Sequence, residues 1–429
     1  MKFVIESVGK CSGRLGTLSG IERFPELSLK TPILLQTTKG GSFPYLSREV
    51  VMLTTDLRET VLSVNLSSTG EMLEAVKSSG NGIASFAALH ECLTFFCLRD
   101  TGEESKTGHH EKAGVPLFTR HGKKVISPEI FMDFVEAFKP DFFHLLSDGD
   151  TSFDSSKKRG IQSVTRTIDF AQKCLEIRNK RENLRKMFVL APIVGGFSHV
   201  NRRKCIEFAS SASGIDGFFI DGLHANGETA LFVPEKETLE IVKMCTENLP
   251  QEKLKMILGS FSPVLVLKMI QLGVDAFDNS LPLLYSLRNR ALVFDFYLEK
   301  QGEKRKNLHI DLSSEGFRED FSSVLEGCEC LTCKEHTKAY LRHLIDCKEL
   351  LGTILLNIHN FHHYREFFRA IQHHIVKDTL SDLIALIEEQ SLEEDYSVIF
   401  PPKTINGLKS SKASSANDSE AEEAKEEAK

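Results

Sequence analysis

Residues 266–282 read VLKMIQLGVDAFDNSLP: a helical run of apolar residues, a Gly at 273, then Asp275 and a short buried-looking run ending in Asp278. The same layout recurs at 134–150, FVEAFKPDFFHLLSDGD, and at 206–223, IEFASSASGIDGFFIDGL. Each is a helix handing over through Gly or Pro and Asp to a continuous apolar strand. Strands without polar alternation are buried on both faces, and repeated helix-loop-strand units imply a parallel sheet wrapped by helices. Repetition over roughly 300 residues makes a closed (β/α)8 barrel, a TIM barrel, the leading α/β reading, with a doubly wound open sheet as runner-up.

A barrel puts working groups at the carboxyl ends of its strands. In the three segments those ends carry Asp148 and Asp150, Asp221 with Gly222, and Asp278. A carboxylate there can also do no more than cap the next helix. Asp275 is expected at the strand's entrance, where it turns the backbone.

The chain has 429 residues, 41 % of them hydrophobic, and a net charge of −7 to which a Glu-rich tail contributes. No run of roughly 18 apolar residues occurs, and the amino terminus lacks a secretory pattern. A cytosolic protein is expected. Seven of the ten cysteines (Cys11, Cys92, Cys97, Cys174, Cys205, Cys245 and Cys347) are scattered singly, as in reduced thiols rather than a disulfide framework. Basic clusters at 157 (KKRG), 178 (RNKR) and 201 (NRRK) are read as solvated helix ends, RNA phosphate contact being the less favoured reading.

Expected boundaries are a barrel over 1–300, a zinc-binding subdomain with C-terminal helices that complete the barrel over 301–400, and a disordered acidic tail over 401–429, too polar to bury anything. The strongest local signal is GCECLTC, residues 327–333. Three cysteines within six residues suit a metal, and zinc is the natural occupant: tetrahedral, redox-inert and fond of sulfur with an imidazole. His336, His343, His359, His362, His363 and Cys347 all lie close enough in sequence to be the fourth ligand. Leu351, Ile354, Leu355, Ile358 and Phe361 mark a buried helical stripe. His359 lies one turn beyond Leu355 on that stripe and can reach inward, whereas His362 and His363 look outward. The predicted ligands are therefore Cys328, Cys330, Cys333 and His359, holding one structural zinc per chain.

The spacing of these four, with FREDF (317–321) before and LLNIHNFHHYREFFRAI (355–371) around them, closely resembles the zinc region of tRNA-guanine transglycosylases, the queuine tRNA-ribosyltransferase family. The likeness runs from GRLGTL at 13 to about residue 372. It implies a (β/α)8 barrel that exchanges guanine for queuine at wobble position 34 of tRNAs with GUN anticodons. In catalytic members an Asp in GxDxFD attacks the ribose carbon, and Asp278 matches it. NSLPLL then stands where catalytic chains have Cys and later Pro-Thr-Arg. The Asp-Ser-Gly-Gly motif, whose acid is a general acid/base, is missing, with no Asp between Asp56 and Asp100. Val194 in PIVGG replaces a base-recognising Gln, and GLHANGE (222–228) only loosely matches the Gly-Leu-x-x-Gly-Glu loop.

Displacing a base from ribose needs a nucleophile and also a polar pocket for the departing purine, so a chain with only the first should be nearly inert alone. Asp278 is then a vestigial nucleophile. Zinc region kept and base pocket lost is similar to the family's non-catalytic partner chains. That implies a heterodimer with a catalytic homologue, tRNA contacted through the complex, and a cytoplasmic protein found partly at the mitochondrial outer membrane; a homodimer is the other assembly. Two further readings are a competent enzyme using Asp278, and a zinc-stabilised RNA-binding scaffold.

Overall fold

The computed structural model describes residues 1–9, 13–106, 112–119, 121–298 and 305–401. Eight parallel strands close into a barrel: β1 (Ile33–Thr37), β2 (Val61–Asn65), β3 (Leu93–Cys97), β4 (Phe142–His144), β5 (Phe188–Ile193), β6 (Gly217–Ile220), β7 (Leu254–Ile257) and β8 (Ala276–Asp278). They pair in chain order, and β8 returns to β1 with Asp278 opposite Leu35. The three segments that open the sequence analysis supply β4, β6 and β8. Every residue of β2 to β8 is buried, as a sheet covered on both faces requires.

Helices follow the strands, and their starts are written in the sequence. Ser127, Ser156, Ser198 and Ser262 each accept the backbone N–H three residues on, opening helices Pro128–Phe138, Lys157–Lys180, His199–Ser211 and Pro263–Gln271. A serine oxygen here satisfies a donor that the first helical turn leaves without a partner. Pro128 and Pro263 occupy the first helical position, where no N–H is needed.

The amino-terminal end of the barrel is closed by a small antiparallel sheet, Lys2–Val8, Arg14–Ser19 and Leu29–Lys30. Its Phe3, Leu18 and Leu29 join Leu35, Phe95, Phe142, Leu190 and Met256 in one apolar core. Arg14 ties this sheet down through Asp275, to which it donates from Nε at 2.6 Å and from Nη2. Asp275 also accepts the Lys255 N–H at 2.7 Å. It is indeed at the strand's entrance, but as the buried anion of an ion pair rather than as a turn residue.

After β8 the chain forms helix Ser280–Leu287 and a two-stranded ribbon, Arg290–Leu292 with His309–Asp311. The 27-residue helix Leu350–Val376 then lies along the barrel. From it Asn357 donates to Pro44 O (2.7 Å) and Gln372 to Lys30 O and Pro32 O (3.0 and 3.1 Å). Helix Leu380–Gln390 ends with Gln390 bonding both ways to the Asp295 backbone. Met1–Glu394 is one compact unit, and the expected division at residue 300 falls inside it. A second unit begins at Asp395 and shows one helical turn, Tyr396–Ile399, capped by Asp395. The acidic tail expected over 401–429 lies outside the described residues from 402 onward. No described helix is long and apolar enough to cross a membrane.

Candidate metal centre and barrel mouth

Gly327, at φ +79°, turns the chain so that Cys328 and Cys330 face one another, and helix Leu331–Glu335 brings Cys333 back over them. Thr332 fixes that helix to the long one by donating to Leu355 O at 2.6 Å. The long helix supplies His359, fully buried, one turn beyond Leu355. The four ligand atoms lie within 4.8 Å of one another. His359 Nδ1 is 3.8, 3.5 and 3.3 Å from the sulfurs of Cys328, Cys330 and Cys333. A tetrahedral ion with ordinary zinc–sulfur and zinc–nitrogen bonds needs sulfur–nitrogen separations of about 3.6 Å, so the cluster has the right size.

His359 Nε2 is 2.8 Å from Leu292 O, which can only accept. The proton on Nε2 is thereby fixed, leaving the Nδ1 lone pair toward the sulfurs, the orientation device of metal-binding histidines. Burial opposes a charged His359, but hydrogen bonds with Cys328 and Cys333 hold it up at about 10. Bonds from Cys330 and Cys333 push the Cys328 thiol down. A divalent cation would take the place of the shared proton.

The neighbours of His359 correct part of the stripe reading. His363 is buried, 4.7 Å from the Phe294 ring and 5.9 Å from His359, and does not look outward. His362 is half-buried, and Leu351, assigned to the buried stripe, is exposed. Cys347 and His343 are exposed neighbours of each other, away from the cluster.

At the carboxyl ends of the strands the expected acids gather, and each is occupied. Asp148 pairs with Arg159 and Arg166, and Asp150 with Arg99 at 2.8 Å. Asp221 accepts Gly222 N–H at 2.7 Å and the Ser147 hydroxyl at 3.1 Å. Asp278 is bonded through both oxygens: Oδ1 accepts both the N–H and the hydroxyl of Ser280, at 2.9 and 2.5 Å, and Oδ2 accepts the Gly259 N–H at 3.1 Å. Burial raises its pKa, and these donors hold part of the shift back. The carboxylate is thus built into the start of helix Ser280–Leu287, both oxygens engaged.

One acid was overlooked in the sequence. Asp100-Thr101-Gly102-Glu103 follows β3 at the mouth, where the resemblance calls for Asp-Ser-Gly-Gly. An acid thus follows this strand, while the Asp-Ser-Gly-Gly motif itself is absent. Asp100 ion-pairs with Lys39, and its pKa is raised by burial against that pairing. The clue was the Asp-x-Gly that follows the buried strand Leu93–Cys97 after Leu98 and Arg99. Cys97, whose thiol burial lifts to about 12, feels Asp100, Asp278 and Asp221 together, so the three acids share one neighbourhood.

Among the described residues the cavity at the mouth is small. His144 packs on Phe219 (4.7 Å between rings), and the cavity bounded by Cys97, His144, Ser147, Phe219 and Asp221 measures about 30 Å³. That is room for about two waters. Val194 is fully buried in an apolar patch with Val164 and Cys205. One arginine of each basic cluster is consumed internally: fully buried Arg202 donates to Gly196 O (2.9 Å) and Ile193 O, Arg178 to Arg185 O (2.9 Å), and Arg159 holds Asp148. Lys157, Lys158, Lys180, Arg203 and Lys204 are exposed, as solvated helix ends are, so each cluster divides between an internally bonded arginine and solvated neighbours.

The family model of queuine tRNA-ribosyltransferase matches residues 10–392. Proteins named queuine tRNA-ribosyltransferase accessory subunit 2 are similar along nearly their whole length. That of Culex quinquefasciatus is 43 % identical over 412 residues, covering 95 % of this chain and 96 % of the relative. That of Aedes aegypti is 40 % identical (91 % and 93 % covered), and that of Drosophila melanogaster 40 % identical (95 % and 97 %). With barrel, cysteine–histidine cluster and mouth agreeing with that match, the chain belongs to the queuine tRNA-ribosyltransferase family.

Proposed function

We propose that this chain is a non-catalytic accessory subunit, which pairs with a catalytic homologue to exchange guanine for queuine at position 34 of tRNAs with GUN anticodons. The barrel mouth carries the reading. Asp278 sits in the nucleophile's place with both oxygens bonded, and the cavity at the mouth, walled by Cys97, His144 and Asp221, measures about 30 Å³. A carboxylate so held is poorly nucleophilic, and a cavity of that size offers little to grip a leaving purine. The names of the similar proteins support the same role.

The Cys328, Cys330, Cys333 and His359 cluster holds one structural zinc, which joins the cysteine turn to the long helix. With three sulfurs and one nitrogen the coordination is closed, so the ion supplies folding energy rather than chemistry. The partner docks partly on this region, whose exposed Tyr340, stacked 5.3 Å from His336, and exposed Leu350 are apolar surface. Contact with tRNA is made through the complex. Location in the cytoplasm and peripherally on the mitochondrial outer membrane rests on the family resemblance, and cell fractionation tests it.

The deciding experiment measures exchange of labelled guanine in tRNA. The isolated chain should show no turnover; mixed with the catalytic homologue it should form a heterodimer whose activity is unchanged by Asp278→Ala in this chain. Turnover by the isolated chain that Asp278→Ala abolishes would establish the enzyme reading instead. A chain that stays monomeric or homodimeric in the mixture would refute the accessory role.

A further inference from the structure

Away from the mouth, the outer side of β1 and the long helix Leu350–Val376 enclose a cavity of about 310 Å³. Leu34, Phe43, Val51, Ile358 and Phe361 form much of its wall. The volume is that of a small-molecule site, and the wall also carries polar residues, Gln36, Glu59, Arg365 and Arg369 among them.

Among those polar groups Arg365 is unusual. Its Nη2 donates to Thr54 O, its Nε is buried with no partner, and its Nη1 binds no acceptor among the described residues. The two carboxylates close enough to act on it, Glu59 and Glu366, are engaged by Arg369 at 3.7 and 2.8 Å. Burial pushes Arg365 down to about 10, Arg369 adds like-charge repulsion, and the two glutamates offset only part. A largely buried guanidinium with an unpartnered nitrogen and no carboxylate of its own is costly, and an anion from outside relieves the cost. The planar fork of Arg suits a carboxylate, whose two oxygens it can bind together.

We propose that this cavity is a binding site for a small amphiphilic monocarboxylate, its charge paired with Arg365 and its apolar body filling the space between β1 and the long helix. The site is independent of the barrel mouth and of the accessory role. Because the long helix also carries His359, an occupant braces the helix that completes the cysteine cluster.

Octanoate serves as the probe, with 1-octanol as its neutral counterpart, titrated calorimetrically into the full-length zinc-loaded chain. Octanoate should bind saturably at one site and at least ten-fold more tightly than octanol. Arg365→Met should weaken octanoate about ten- to hundred-fold, as losing a charge-assisted hydrogen bond does, and leave octanol unchanged; Arg365→Lys should fall between. Absence of saturable octanoate binding, equal affinity for acid and alcohol, or an Arg365→Met chain that binds octanoate like the wild type overturns the proposal. The acid-against-alcohol comparison on the wild type stands even if the methionine variant does not fold.

Discussion

Arg14 and Asp275 show how much a single residue pair can carry. Both are nearly inaccessible, 4 % and 0 % exposed, and 261 residues apart in sequence. Removing the guanidinium leaves a buried carboxylate that burial already drives toward its neutral form. Arg14→Met should therefore cost about 3–5 kcal/mol, read as a lower urea midpoint, and Arg14→Met with Asp275→Asn should recover part of it. His144 gives a pH prediction. Buried against Phe219, it has a pKa below the usual value, burial outweighing the pull of Asp221, and His224 is shifted the same way. Unfolded histidines then bind more protons than folded ones at and below about pH 6.5, so stability falls as pH drops from 7 toward 5. His144→Leu should flatten that slope; an unchanged slope in denaturant titrations at pH 5, 6 and 7 would count against a neutral, buried His144. Asp278 was recognised from its GxDxFD context, but that Ser280 clasps it was not, because a hydroxyl two residues away becomes a partner only when the strand ends and the helix begins there.

Among the elements, the cysteine turn and the long helix depend on one another. They share a core that includes Cys330, Cys333, Leu341, Leu344, Leu355 and Ile358, and the metal would tie the cysteine turn to it. Zinc analysis should find one ion per chain, and Cys330→Ala should lose both the ion and ordered structure around 328–359. Zinc-finger peptides gain about 10–16 kcal/mol from the metal, so chelation should lower the thermal midpoint markedly and expose amides of this region to hydrogen exchange first. A fully folded metal-free wild type would contradict this. Helix starts were open to reading from Ser127, Ser156, Ser198 and Ser262, and Ser262→Ala should cost about 1 kcal/mol in a melting experiment, the usual worth of an N-cap. The faces of the long helix were harder. A 27-residue helix that meets the cysteine turn, helix Ser280–Leu287 and β1 has no single polar side, which is why His363 proved buried and Leu351 exposed.

At the scale of the whole molecule, the barrel and the carboxyl-terminal helices form one unit rather than two abutting domains. Asn360 on the long helix bonds Leu292 N–H, Arg290 O and Ser286, and Phe368 packs on Phe277 of β8 at 6.1 Å. A fragment ending at residue 298 would bare that side of β8 and β1. It should be insoluble or molten, with secondary structure by circular dichroism but no cooperative melting; a cooperative, well-dispersed fragment would show that the barrel folds without the helices.

The sequence alone determined the periodicities and the short-range chemistry: apolar strands handing over to capped helices, and cysteines spaced for a metal. Those are set by neighbours within one or two turns of chain, where residue type dictates geometry. Only the tertiary structure decided what lies between distant segments: Lys39 against Asp100, His144 filling the mouth, and a cavity walled by residues more than 300 positions apart with Arg365 at its edge. Space and charge compensation arise from packing the closed barrel against its last helices, and no local pattern in the chain encodes them.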